Sequence, residues 1–448
     1  ERPNIVFILF DDLGFGDIGA YGSDRGHTPE IDRLAASGTR YEQFLVASPV
    51  CSPSRAAILT GHYPERYAIH QHFSTVEHHQ RFGMPDWLPQ TAPSLARMLQ
   101  SAGYRTGHFG KWHLTNSPVP DAPTPAAYGF DAFTVFNGPG PRTDAWQVVD
   151  DTIAFIAQSR EQPFFANVWL HEPHTPHYPD PARLDDFAAL DEQQQVYSAT
   201  LATGDAAVGR ILSTLEELGL SDNTIILLSS DNGPEVTGGP DTRLQPGDPD
   251  AAIAGLEPLG RYFSVGDTGG LRGRKRDIFE GGIRVPLIIR WPGHVRAGAV
   301  DRGNVLSALD LLPTMIDLAG GALPPGYRPD GVSWLPLWKD QMLVRTSPLF
   351  WQRTFPRGSA RGADVWLAAR DGPFKLVKPP GAEAQLFDLG KDPAETRDIA
   401  DANRTLVMQM LSGARKWRES LPQEAPANAI SALRQGREQT LECPACGR

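Results

Sequence analysis

Asn4-Ile5-Val6-Phe7-Ile8-Leu9-Phe10-Asp11-Asp12 is an unbroken apolar and β-branched run that stops at two adjacent carboxylates. A strand without polar alternation is buried on both faces, which is the habit of parallel sheets covered by helices. Residues 164–170, 224–229 and 285–290 read the same way, and 104–109 reads as a shorter strand. Helical periodicity separates them over residues 29–37, 94–101, 152–158, 193–218 and 309–318. The alternation predicts an α/β fold with a large, mixed but mainly parallel central sheet flanked by helices. Past about residue 338 the pattern changes to short strands at 365–370 and 373–377, then Leu386-Phe387-Asp388-Leu389 and a helix over 401–416. This reads as a smaller C-terminal α+β subdomain. The expected division is a main domain over 1–340, the subdomain over 341–420 and an extension over 421–448.

The chain has 448 residues, enough to bury a large core, with 40% hydrophobic and 21% charged residues. Its 44 Gly and 40 Pro imply much ordered loop, where binding groups sit on such scaffolds. One long excursion, 233–267, is rich in Gly, Pro and Asp. A net charge of -11 argues against nucleic acid as partner, though a local basic pocket for a small anion is compatible with it. No apolar stretch reaches the roughly 18 residues of a membrane span. The chain opens Glu1-Arg2-Pro3 without an initiator Met, as a mature protein freed of a signal peptide or a trimmed chain would. Three cysteines are too few for a disulfide framework. Cys443 and Cys446 have CxxC spacing, but one pair cannot complete a four-ligand zinc site; a terminal disulfide or a loose tail is expected.

Paired carboxylates at the end of a buried strand are costly unless a cation neutralises them. Asp11-Asp12 is one such site, and Asp231-Asn232-Gly233 follows a second core strand. Ligands of open parallel sheets collect beyond the C-terminal strand ends. Three carboxylates and an amide oxygen there suit Ca²⁺ or Mg²⁺ rather than zinc; the alternative is that the aspartates only cap turns. Gly110-Lys111-Trp112-His113 places a cation and an imidazole two apart, on one side of an extended segment. They either serve an anion or are a surface lysine and a packed histidine. His171-Glu172-Pro173-His174-Thr175-Pro176-His177 holds three histidines, but its prolines forbid the one-face helical spacing of a zinc motif. His177 reads as a loop residue. Arg272, Arg274, Lys275 and Arg276 are a polyanion patch or a solvated face, and Glu280-Gly281-Gly282 suggests close backbone packing nearby.

Cys51-Ser52-Pro53-Ser54-Arg55-Ala56-Ala57-Ile58-Leu59-Thr60-Gly61 places a cysteine where a helix begins, at its positive end, with Arg55 in reach to pair with it. From the residues alone this is an activated thiol facing an anion, or a buried structural cysteine. The segment resembles the signature of the formylglycine-dependent sulfatases, at Cys51, Pro53, Ser54, Arg55, Leu59, Thr60 and Gly61. The resemblance runs from Asn4 to about Gly293, and continues through Phe374-Lys375-Leu376 and the motif from Leu386 to Glu395.

The resemblance implies an alkaline phosphatase-like sulfatase fold and a sulfuric ester hydrolase. It implies that a formylglycine-generating enzyme oxidises Cys51 to an aldehyde (3-oxoalanine), whose hydrate is the nucleophile. It implies Ca²⁺, with Mg²⁺ second, on Asp11, Asp12, Asp231 and Asn232. Lys111, His113, His174 and Lys275 would form the sulfate pocket, with Arg55 holding the nucleophile's oxygens. Residues 167–174 and Gly83-Met84-Pro85-Asp86 look most like the branch acting on sulfated hexosamines, so a sulfated mono- or oligosaccharide is the expected substrate. Trp87, Trp146 and Trp169 are candidate stacking surfaces, and His171, Arg272 and Arg274 candidate hydroxyl partners. A periplasmic or extracellular setting goes with this reading. The rivals are a general arylsulfatase, a phosphate or phosphonate monoester hydrolase of the same superfold, and an inactive glycan-binding protein.

Overall fold

The computed structural model describes residues 2–25, 27–137, 144–235, 264–339, 341, 343, 345–356, 365–422 and 424–434. Most of the 233–267 excursion, Cys443, Cys446 and the end of the extension lie outside the described residues. The main sheet is built from β1 (Asn4–Asp11), β2 (Thr39–Leu45), β3 (Arg105–Lys111), β4 (Ala132–Phe136), β5 (Phe164–Pro173), β6 (Thr224–Ser230), β7 (Arg284–Arg290), β8 (Ala299–Asp301) and β9 (Leu306–Ser307). Its order is β4-β3-β5-β1-β6-β7-β2-β8, with β9 also on β2. Among these strands β7 alone runs antiparallel to its neighbours, β6 and β2. The sheet is thus mixed and mainly parallel, as expected.

Nine helices accompany the sheets among the described residues: α1 (Pro29–Ala36), α2 (Cys51–Thr60), α3 (Val76–Phe82), α4 (Leu95–Ser101), α5 (Ala145–Ser159), α6 (Glu192–Glu217), α7 (Glu280–Ile283), α8 (Leu311–Leu318) and α9 (Arg404–Glu419). Every residue of β1 is buried, which is why its sequence shows no alternation. Its two faces still divide the core. Ile5, Phe7 and Leu9 pack with residues of α2, α4 and α8; Val6, Ile8 and Phe10 pack with α1, α5 and α6. Helix α5 starts seven residues before the expected 152, at Ala145, because Asp144 caps it by accepting from Gln147 N at 2.8 Å. Strands β2 and β4 had no clear signal: both are only partly buried and mix polar with apolar residues.

Because β1, β3, β5 and β6 are parallel, their C-terminal ends share one edge of the sheet. Register pairs Phe10 with Ser230 and Asp11 with Pro173. Topology therefore gathers Asp11-Asp12, Lys111-His113, His171-His174 and Asp231-Asn232 in one place, although they are spread over more than 200 positions of sequence. No helix among the described residues is long and apolar enough to cross a membrane.

A second, antiparallel sheet follows: β10 (Leu349–Arg353), β11 (Trp366–Asp371), β12 (Phe374–Lys378) and β13 (Gln385–Asp388), with α9 packed on β11 and β12. It meets the main sheet through a buried charge cluster. Lys375 Nζ lies 2.9 Å from both Glu280 Oε1 and Glu395 Oε1, all three fully buried. Glu395 Oε2 accepts from Glu280 N at 2.6 Å, and Arg370 sits 3.6 Å from Glu280. Burial would raise the Glu280 carboxyl, but Lys375, Arg370 and Arg284 outweigh it and hold Glu280 below the usual carboxylate range. Removing the shared cation leaves two carboxylates in a dry interface. Lys375→Met is therefore expected to lower stability by about 3–5 kcal/mol, measured by denaturant unfolding; a loss within error of zero would show that the cluster holds nothing together.

Candidate active site

Helix α2 begins at Cys51 itself, with Val50 extended as N-cap, and ends at Gly61, whose φ of 64° needs a residue without Cβ. All ten α2 residues are buried. Ser52 Oγ accepts from Phe73 N at 2.9 Å, tying the helix to the segment carrying His72. Cys51 lies on an open cavity of about 250 Å³ whose walls include Lys111, His113, His174 and Lys275. Burial pushes the Cys51 thiol up despite nearby Lys111 and Lys275. As a cysteine this is a neutral thiol and a weak nucleophile, which corrects the activated-thiol reading.

Arg55 departs from expectation in its partners. Its Nε donates to Asp231 Oδ2 at 2.9 Å, Nη2 lies 2.7 Å from Asp231 and 3.3 Å from Asp11, and Nη1 donates to Lys111 O at 3.2 Å. Its guanidinium also lies 4.9 Å from the Trp169 ring centroid. Arg55 thus braces the carboxylates with its hydrogen bonds, rather than giving them to the residue at 51. Lys111 pairs with Asp11, and Lys275 Nζ donates to Asp12 Oδ2 at 2.7 Å. Asp12, at a φ of 65°, donates its N–H to Asp231 Oδ1 at 3.2 Å and accepts from Asn232 Nδ2 at 2.7 Å.

Of the four residues expected to hold a metal, Asp12 is thus hydrogen-bonded to Asp231 and Asn232, and Asp11 joins them through Arg55. Asp11, Asp12 and His174 each offer an atom within 4.8 Å of the others, so His174 joins the candidate ligands that sequence reading had limited to oxygen donors. His174 Nε2 is 3.6 Å from Asp12 Oδ2. Two buried acceptors, Asp11 Oδ1 and Asn232 Oδ1, have no hydrogen-bond donor among the described residues, a demand that a hard cation meets. Burial and then the Asp11 charge push Asp231 up to about 7; burial likewise raises Asp12, against Lys275. Asp11 goes the other way: burial would raise it, but Lys111 and its fellow cations hold it well below the usual range. Buried carboxylates with two acceptors left without donors among the described residues fit a divalent cation.

Lys111 ends β3 and His113 sits at a φ of 50°, so a left-handed turn, not an extended strand, brings both to the cavity. His113 Nε2 donates to Phe73 O at 2.9 Å, leaving Nδ1 without a hydrogen-bond partner among the described residues. Burial, aided by Lys111 at His113 and Lys275 at His174, holds both imidazoles well below their ordinary value, so both are neutral. Gly233 donates to Gly282 O at 2.9 Å, and a Cβ on Gly233 would stand 1.9 Å from Gly281 O. This is the close backbone packing that the glycines suggested.

His171 lines the cavity and contacts Pro176 O through Nε2 at 3.1 Å. Trp169 does not: it is fully buried, stacked on Trp112 at 6.3 Å, and has no face for a sugar. Trp87 is buried beside Val76 and Val119, while Trp146 lies under Arg210. Arg272 lies 3.9 Å from the Phe279 ring centroid and donates to Glu395 O at 3.1 Å, so it braces the subdomain contact. Arg274 is exposed and is not part of the cavity wall. His177 is a loop residue, as expected, and a buried one, 5.7 Å from the Tyr197 ring. The cavity also takes in His72, Asn116 and Phe136, which no motif announced. For His72 the sequence signal was a histidine-rich stretch from His70 to His79; Asn116 and Phe136 had none.

Comparison with known proteins agrees with this geometry. The sulfatase family matches residues 3–322, and the family described as "N-sulphoglucosamine sulphohydrolase, C-terminal" matches 273–417. The chain is 30% identical to Homo sapiens arylsulfatase A, covering 89% of this chain and 83% of that protein. It is 31% identical to Homo sapiens N-acetylgalactosamine-6-sulfatase over 79% of this chain and 69% of that one. Among solved structures, Ps i-CgsB in complex with k-i-k-neocarrahexaose superposes with a TM-score of 0.79 at 26% identity, covering 100% of this chain and 99% of that one. With the family matched along most of its length, this chain belongs to the formylglycine-dependent sulfatases, enzymes that hydrolyse sulfuric esters.

Proposed function

We propose that the chain removes sulfate from a sulfated carbohydrate, using residue 51 as formylglycine and a Ca²⁺ ion at Asp11, Asp12, Asp231 and Asn232. The observation that carries this reading is Cys51 at a buried helix N-terminus, facing a cavity whose walls include Lys111, Lys275 and the neutral imidazoles of His113 and His174. The carbohydrate part draws on relatives: one acts on N-acetylgalactosamine 6-sulfate by its name, and a solved one was determined with a neocarrahexaose.

Oxidised and hydrated, residue 51 supplies a hydroxyl nucleophile where the thiol is unreactive. A bound dication supplies Lewis-acid polarisation of a sulfate oxygen. The chain's own residues do the rest. Three carboxylates, Asp11, Asp12 and Asp231, face three cations, Arg55, Lys111 and Lys275, so the cluster is balanced by itself and would attract an anion with a dication held there. Lys111 and Lys275 then serve the sulfate oxygens as charge shifts during S–O cleavage. His113, whose Nδ1 lone pair is uncommitted, takes a proton. With His174 neutral and its Nδ1–H directed to Thr175 O, the proton that the departing alcohol oxygen needs comes from the Lys275 ammonium on the same wall.

Two outcomes are expected. When the chain is produced beside a formylglycine-generating enzyme, mass spectrometry of the residue 51 peptide should find an aldehyde in place of sulfur. That protein should cleave defined sulfated mono- and oligosaccharides at least as well as an aryl sulfate, and Cys51→Ala should lose about a thousandfold or more in kcat. An unmodified thiol throughout, or fast aryl cleavage with every glycan ignored, sinks the corresponding half of the proposal.

Calorimetric titration should also find one Ca²⁺ per chain, with the heat abolished in Asp12→Asn. Stoichiometric zinc held by His171 and His174 instead would overturn the metal assignment.

A further inference from the structure

Arg276 is built unlike the other cations of the cluster. It has a φ of 73°, the left-handed region where glycine is unstrained and a residue with Cβ is disfavoured. The strain is held from both sides. Arg276 N donates to Pro49 O at 2.9 Å, two residues before Cys51, and Lys275 N donates to Pro234 O at 3.1 Å, two residues after Asn232. The backbone here is fixed by the nucleophile loop and the metal-ligand loop together. An arginine side chain in that position stands on the cavity wall beside His72. Its side chain is 46% exposed, whereas those of Lys111 and Lys275 are 4% and 5% exposed on the cavity floor.

Arg276 thus reaches the mouth of the same cavity that the lysines serve from below. Its Nη1 pairs with Glu235, a side chain only 8% exposed. A guanidinium is a planar fork with five N–H donors, so one buried carboxylate orients it while other donors remain for a second anion. His72 adds no competing charge. Burial, then His78 and the cations Lys275, Arg276 and Lys111, push it down to about 3, so it is a neutral imidazole on that wall.

We infer that Arg276 is a specificity-determining residue that binds a second anionic group, a carboxylate or another sulfate, on the sugar that carries the scissile ester. This rests on the sulfated-sugar reading above and deepens it. Strain kept where glycine would relieve it, a cation at the mouth and a buried carboxylate aiming it are the observations that support it.

The test uses the matured, Ca²⁺-loaded enzyme with Arg276→Gln and Arg276→Gly; the glycine variant relieves the backbone and controls for folding by its melting temperature. Substrates are matched: a monosulfated hexosamine, the same sugar with a second sulfate, the same sugar linked to a uronic acid, and an aryl sulfate with and without a ring carboxylate. Wild type should prefer the doubly anionic member of at least one sugar pair, and the pair showing it tells sulfate from carboxylate. Both variants should raise KM for that member at least tenfold with kcat held within about twofold, and should leave the singly anionic sugar and plain aryl sulfate unchanged. Equal losses on every substrate, or no preference in wild type, overturn the role of Arg276. If wild type cleaves aryl sulfates but no sugar, the carbohydrate reading fails by itself; Arg276 is then judged by the same KM criterion on the aryl pair.

Discussion

Three carboxylates buried at one end of a sheet are the constraint around which this molecule is arranged. Asp11, Asp12 and Asp231 are each inaccessible to water, and an isolated buried carboxylate is costly enough to titrate or unfold the site. The chain answers with Arg55 from the nucleophile helix, Lys111 from β3 and Lys275 from the loop before α7. Each cation arrives on a different segment. The carboxylates therefore draw together the elements whose other residues face the substrate cavity, and electrostatic satisfaction of the floor positions the walls.

Support for that floor extends to the smaller sheet. Glu395 holds the backbone of Glu280 and Lys375 its side chain; Gly281 N donates to Arg272 O at 2.7 Å, and Gly282 O accepts from Gly233 N. One short turn is thus shared by the segment leading to Lys275 and the segment leading from Asn232. The small subdomain contributes none of the described residues named for the cavity wall, yet its buried charges set the height at which two parts of the floor meet. Arg272, expected among the substrate contacts, belongs to this bracing.

Much of the site was legible because strand ends carry their own marks. A continuous apolar run followed by Asp11-Asp12, and another followed by Asp231-Asn232, needs no knowledge of connectivity to be placed on one sheet edge. The cysteine signature likewise marked, from residue order, a residue that lines the cavity beside Lys111 and Lys275. Sequence could not say where a side chain points. Trp169 and Arg272 are the types that recognise sugars, but one is stacked in the core and the other lies over Phe279. Arg276 was just one cation in a row until a left-handed backbone separated it from its neighbours. The half-exposed strands β2 and β4 escaped for the opposite reason, since partial burial blurs the period that betrays a strand.

Helix α2 is buried along its whole length, with Cys51 only 3% exposed. A helix with no wet face offers no handle to a macromolecule once the domain has closed around it. The cavity above it, about 250 Å³, admits a small ester but not the active site of another protein. An enzyme acting on the side chain at 51 would therefore need this segment unpacked, so burial of α2 shields residue 51 from macromolecules as much as it presents it to small esters.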